Sequence, residues 1–128
     1  MNFDENLLRN EGIASYDSFG FEYLGSYRKG PHLLTPSSCQ PLIDINDYHE
    51  YLKSYPLDAG LLFVIGTNHP IKSHLFHEWT LWALERQCSF EWQPYEAACR
   101  MINILREEQR QFLCLLIPPE ETKQDHTI

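Results

Sequence analysis

The sequence predicts a single domain of α/β or α+β class, a mixed β-sheet with two buried central strands flanked by helices. The first observation is a pair of short runs, about residues 61–65 and 112–117, apolar on both strand faces as interior strands are. The second is that the stretches around them carry apolar residues at three- and four-residue steps, and parallel neighbours need a crossover long enough to hold a helix. The third is size. With 128 residues, 43% hydrophobic and 13% aromatic, the chain has enough apolar surface for one core and too little for two. Residues 1–117 are therefore assigned to one globular domain and 118–128 to a flexible acidic tail with almost nothing to bury.

The elements follow in order. Phe3 to Arg9 reads as a short helix closed by Gly12, and Phe19, Phe21 and Tyr23 alternate with smaller or polar residues as a strand does. Arg28-Lys29-Gly30-Pro31 marks a turn, from which His32 to Leu34 is expected to return as the second arm of a hairpin. Thr35 to Pro41, with its prolines and serines, reads as a loop. Leu42 to Ile45 is assigned to a strand, and Asn46 or Asp47 caps a helix to about Ser54 that Pro56 cannot continue.

Leu61-Leu62-Phe63-Val64-Ile65, between Gly60 and Gly66, is the clearest strand in the chain. Thr67 or Asn68 with Pro70 opens a helix to about Gln87, with Trp79 and Trp82 on its apolar stripe. Ser89 to Trp92 forms a short strand. A second helix runs from Pro94 to about Gln111, with Tyr95, Ala98, Cys99, Ile102 and Leu105 on one face. Phe112 to Ile117 is the second interior strand, ended by Pro118-Pro119.

Charge narrows the function. Eighteen Asp and Glu stand against ten Lys and Arg, a net charge of -8. Residues 1–27 hold five acids against Arg9 alone, half of that net charge. Phosphate contacts need clustered cations, whereas Arg28-Lys29 is the one adjacent basic pair and Arg100, Arg106 and Arg110 are interleaved with glutamates, which argues against nucleic acid. No apolar run reaches bilayer length, and Asp4 and Glu5 stand where a basic leader would be, so a cytoplasmic protein without a membrane role is expected. Cys39, Cys88, Cys99 and Cys114 are widely spaced, without a C-x-x-C, and suit reduced, buried thiols.

A basic protein is the natural partner for such a surface. Asp44, Asp47, Glu50 and Asp58 interleave with Tyr48, Tyr51 and Tyr55, and Asp44, Asp47, Glu50, Tyr51 and Asp58 are the expected contacts. Tyrosine supplies a stiff contact area with a polar tip, and carboxylates pair with Lys or Arg. The expectation is a non-enzymatic inhibitor or immunity-type protein that neutralises a basic macromolecule such as a nuclease, without a cofactor. An ordinary solvated helix face is the plainer reading of the same residues.

Two alternatives come from other classes. His74, His77 and Glu78 lie one turn apart or less and are of zinc-ligating type, which would suit a small metal-assisted hydrolase, although the spacing is neither H-E-x-x-H nor H-x-x-E-H. A structural subunit of a homo-oligomer is the other. Cys39 and Ser37-Ser38 lack any local activating pattern, and neither phosphate-loop glycine motif is present. Gly66-Thr67-Asn68 stands where open α/β sheets bind ligands, between a central strand and a helix, and is a pocket candidate.

Overall fold

A computed structural model describes residues 12–42, 52, 55–70 and 72–120. Eight strands and two helices are laid out as β1 (Ile13–Tyr16), β2 (Gly20–Tyr23), β3 (Ser26–Lys29), β4 (His32–Thr35), β5 (Ser38–Pro41), β6 (Leu62–Gly66), α1 (Ser73–Glu85), β7 (Ser89–Gln93), α2 (Tyr95–Glu107) and β8 (Phe112–Leu116) among those residues. The class is α+β, with a mixed sheet at its centre. That sheet has five strands in the order β5-β4-β8-β6-β7, and β1-β2-β3 form a separate antiparallel sheet. β6 runs parallel to both β7 and β8, as the helical crossovers require, while β4 is antiparallel to β5 and β8.

The two doubly apolar runs are the interior strands β6 and β8, every residue of each being buried. Their side chains alternate between two cores. Leu62, Val64, Phe112, Cys114 and Leu116 face α2 and the small sheet, where they meet Ile13, Phe21, Tyr23, Ala98 and Ile102. Phe63, Ile65, Leu113 and Leu115 face the other way, onto Trp79, Trp82 and Ala83 of α1. Phe63 is the hub of this second core, its ring centroid 5.4 Å from Trp79, 5.5 Å from Trp82 and 5.3 Å from Phe90. Gly66 lets α2 close onto β6, since a Cβ there would stand 2.4 Å from the Ala98 Cβ.

The small sheet hangs on α2 by side chains. Asn103 accepts from the Ile13 amide at 2.6 Å and donates to the Ile13 carbonyl at 3.0 Å, so one side chain satisfies both backbone groups of that residue. Arg106 donates to the Tyr23 hydroxyl at 3.1 Å and to the Pro36 carbonyl, and Tyr23 in turn donates to Thr35 O at 2.6 Å. Burial pushes the Tyr23 hydroxyl up to about 12, against the pull of the Arg106 charge.

Several expected boundaries shift. The strand at Phe21 pairs with β3, through a turn at Leu24 and Gly25 whose φ angles are 53° and 81°. His32–Leu34 is not the hairpin's second arm, because the chain crosses at Gly30-Pro31 into the five-stranded sheet, where β4 pairs with β5 and β8. The stretch expected to be a loop before Leu42 contains β5, an edge strand that tolerates Pro41. α1 begins at Ser73 rather than near Asn68, and α2 ends at Glu107, where Gln109 takes a φ of 57°. The helix expected at Phe3–Arg9 lies outside the described residues, as do most of those expected to form the strand and helix between Leu42 and Ser54. Leu52 is described and fully buried. Beyond β8, Pro118 is buried and the Glu120 amide donates to Ser18 O at 2.8 Å.

Candidate functional site

The parallel strands β6 and β8 end together, and a cleft of about 280 Å³ opens beyond their carboxyl ends, where sheets of this kind bind ligands. Four segments build it: Tyr16–Ser18 at and just beyond the end of β1, Asn68 after β6, Tyr95 and Glu96 at the start of α2, and Pro119 after β8. Asn68 is the cap α2 lacks in its own sequence, since Pro94 carries no capping side chain and Asn68 Oδ1 accepts from the Tyr95 amide at 2.9 Å. Tyr95 is buried and its hydroxyl donates to Gly20 O at 2.8 Å, which ties the β1–β2 turn to the helix start. The Tyr16 ring stands edge-on to Tyr95 at 6.1 Å, and Arg100 donates to the Tyr16 hydroxyl at 3.4 Å.

Asp17 organises the turn. Its Oδ1 accepts from the amides of Phe19 at 2.8 Å and Gly20 at 2.9 Å, and from the Tyr27 hydroxyl at 3.0 Å. The Phe19 amide above all, with the Tyr27 hydroxyl and the Gly20 amide, holds this carboxyl below its ordinary value, and it stays ionised at neutral pH. Desolvation first, then the Asp17 carboxylate, pushes the Tyr27 hydroxyl up, so tyrosine remains the donor. Glu96, in the first turn of α2, is favoured there by the helix dipole. Two carboxylates thus share one cleft with the Tyr16 ring, and Phe19 (38% exposed) and Tyr27 (50% exposed), whose amide and hydroxyl donate to Asp17, are open to solvent. Among the described residues, neither histidine nor cysteine lines it.

Of the expected contacts, Asp58 alone is among the described residues. Asp44, Asp47, Glu50 and Tyr51 fall outside the described residues. Asp58 is exposed, at the opposite end of β6 from the cleft, where its carbonyl accepts from Cys88 Sγ at 3.1 Å and the Leu61 amide at 3.2 Å. His74, His77 and Glu78 are all exposed on α1, and among the described residues no group of three or more His, Cys, Asp or Glu is placed to hold a metal ion. Asn68, from the turn singled out as a pocket candidate, does line the cleft. Tyr16, Asp17 and Glu96, which line the cleft, are not among the residues expected from the sequence. The one signal for them was the acid excess of the first 27 residues, to which Asp17 belongs.

All four cysteines are unpaired thiols. Burial pushes Cys39 up to about 11, Cys99 up to about 12 and Cys114 higher still, so none of these three is a ready nucleophile.

Neither a protein family nor a curated protein matches the sequence. Solved structures do. A Bordetella parapertussis protein superposes with a TM-score of 0.63 at 18% identity, covering 84% of this chain and 94% of its own. A Bordetella pertussis protein described as a Mth938-like domain gives 0.60 at 16% identity, covering 85% and 86%. The fold is similar to that of a Mth938-like domain. A Bartonella henselae protein described as an outer membrane protein gives 0.58 at 18% identity, covering 84% and 97%. At such identities the likeness concerns the fold alone. Among the described residues of this Mth938-like fold, no helix is long and apolar enough to cross a membrane.

Proposed function

We propose that the chain is a non-enzymatic binding domain, of inhibitor or immunity type, that acts in the cytoplasm on a basic macromolecular partner such as a nuclease. The supporting observation is the cleft in which the Asp17 and Glu96 carboxylates stand beside Tyr16, with Phe19 and Tyr27 exposed nearby. At about 280 Å³ the cleft suits one lysine or arginine side chain of a protein partner better than a free metabolite. A cation seated there gains two carboxylates and aromatic faces, the pairing that makes arginine and tyrosine energetic anchors of interfaces. The net charge of -8 steers a basic partner toward the domain before contact. The raised Cys39 and Cys99 thiols offer no ready nucleophile for a catalytic reading.

The test is affinity capture from the native host with the wild-type chain and a Tyr16→Ala, Glu96→Lys variant, followed by mass identification. Asp17 is left intact because it builds the turn. A basic protein retained by the wild type, released by salt and lost from the variant is the expected result. Equal retention by both would move the contact to another acid cluster, for which Asp47→Lys with Glu50→Lys is the matching variant. Stoichiometric zinc in the purified protein would instead favour the hydrolase built on His74, His77 and Glu78.

A further inference from the structure

A buried histidine stands where the chain passes from one sheet to the other. His32 is the first residue of β4, 6% exposed, and follows directly on the Gly30-Pro31 crossing that leaves β3. Its ring meets the Phe21 ring of β2 edge to face, with centroids 5.6 Å apart. Its Nδ1 lies 2.9 Å from Gly30 O. A carbonyl only accepts, so Nδ1 carries a proton and Nε2 is the atom that titrates. From Gly30 the bonds continue to the cleft. The Gly30 amide donates to Phe19 O at 3.1 Å, the Phe19 amide donates to Asp17 Oδ1 at 2.8 Å, and Asp17 lines the cleft.

The surroundings of the ring suit its neutral form. β2 presents Phe21, and the strands that flank His32 in the large sheet set Pro41 of β5 and Leu116 of β8 opposite it. Cys39, two residues before Pro41 on β5, is a thiol that burial pushes up to about 11, so it is uncharged at neutral pH. Among the described residues, the charge that acts on the ring is that of Arg28 on β3, whose Nε donates to Tyr23 O at 3.2 Å. Burial above all, opposed by the Gly30 carbonyl and aided by Arg28, holds the histidine below its ordinary value of 6.5. Hydrating a charged ring takes it away from Phe21 and from Gly30. We infer that His32 is an acid-sensitive latch on the cleft: on taking a proton the ring leaves Phe21 and Gly30, the Gly30 to Phe19 bond loosens, and the Asp17 turn loses its hold on a cation. This rests on the reading that the cleft takes a cation, and adds a regulation of it. The step is confined to the crossing and the turn.

The wild-type chain is titrated with acid while its backbone amides and histidine rings are followed by NMR, which needs no variant to fold. The amide shifts of Asp17, Phe19 and Gly30 should move with the midpoint of the His32 ring and not with those of the exposed His69, His74 and His77. Exchange at the Asp17 and Gly30 amides, corrected for its intrinsic pH dependence and referred to residues 62–66, should rise at least about threefold from about pH 7.5 to about pH 5. Asp17, held below its ordinary carboxylate value, stays ionised over that range and is not the source. His32→Asn offers Gly30 O an amide N–H without a titrating group, and should flatten both responses. The cleft is probed with the tripeptide acetyl-Gly-Arg-Gly-amide, whose binding should weaken at least about threefold more over the same range in the wild type than in His32→Asn.

Shifts at Asp17 and Gly30 that ignore the His32 midpoint, or unchanged exchange at both amides, overturn the latch while leaving the cation reading of the cleft standing. Tripeptide binding with the same pH dependence in both proteins, while exchange follows His32, overturns the regulation. A tripeptide that shifts neither Tyr16 nor Asp17 at millimolar concentration and neutral pH overturns the cation reading instead, and the exchange data then decide the latch by themselves.

Discussion

Removing the Phe63 ring should cost more stability than any other single truncation on the α1 side of the sheet. The side chain is fully buried and sits within 5.3 to 5.5 Å, centroid to centroid, of Trp79, Trp82 and Phe90. Phe63→Ala loses transfer free energy and leaves a cavity, about 3–5 kcal/mol in a core that cannot collapse. Three aromatic neighbours, each worth about 0.5–1.5 kcal/mol beyond burial, place it at the upper end. The cavity has little means of closing, because its wall is formed by two rigid indoles on one helix and a strand on each side. For a chain of this size that is a fall in Tm of roughly 12–20 °C, and a large part of a typical stability of about 5–15 kcal/mol. Phe63→Leu keeps most of the volume and loses the ring contacts, so about 1–2 kcal/mol is expected. Urea unfolding followed by tryptophan fluorescence and by far-UV circular dichroism gives both numbers. If Phe63→Ala cost under about 1 kcal/mol, or no more than Phe63→Leu, the aromatic hub would not be the centre of that core.

Other consequences are as direct. Gly66→Ala sets a methyl 2.4 Å from the Ala98 Cβ and 2.9 Å from Leu116 Cδ1, so α2 must shift, at about 1–3 kcal/mol by urea titration; a neutral substitution would mean that the helix can lift from the sheet freely. Tyr95→Phe deletes the bond to Gly20 O, but that carbonyl keeps the Asp17 amide at 2.9 Å, so the loss is that of one net bond, about 1 kcal/mol; a loss near 3 kcal/mol would show that the second bond does not hold. Burial, with a smaller push from Arg28, holds the buried His32 below its ordinary value of 6.5, so the unfolded chain takes up the proton first. Its contribution is complete above about pH 6.5 and declines as pH falls toward the folded value, a decline His32→Asn should remove; parallel stability–pH curves for the two proteins would refute it. Because three of the four thiols are raised, a disulfide reagent at about pH 8 should label at most one cysteine in the native protein and all four in urea; rapid labelling of a second would contradict the burial of Cys39, Cys99 and Cys114.

What could be read in the chain was what is encoded locally. β6 and β8 announce themselves because burial on both faces forbids polar residues, and the inner faces of α1 and α2 because apolar residues recur at helical steps. The hairpin partner of β2 was missed because its turn places a leucine, Leu24, at a φ of 53°, where glycine or asparagine is the usual signal. β5 passed for a loop since an edge strand has one partner, tolerates proline, and need not be apolar. The cleft was less legible still. Its residues come from positions 16–18, 68, 95–96 and 119, brought together only because β6 and β8 run parallel and end side by side. No local spacing records that neighbourhood. The acid excess of the N-terminal quarter pointed toward Asp17, but not toward Glu96, whose place beside it is set by Asn68 capping α2.

The way the small sheet is fastened divides the molecule mechanically. Among the described residues β1, β2 and β3 share no ladder with the five-stranded sheet, and Asn103, Tyr95 and Arg106 help fix them to α2 and the β4–β5 turn. Lifting this sheet would open the core that Ile13, Phe21 and Tyr23 share with β6, β8 and α2, whereas the Trp79 and Trp82 core lies on the other face of the large sheet. Amide exchange should accordingly be faster along 13–29 than along 62–66 and 112–116. Since Tyr16 and Asp17 belong to that sheet while Asn68 and Glu96 do not, a cation held between the Asp17 and Glu96 carboxylates should raise amide protection along 13–29 more than along 62–66.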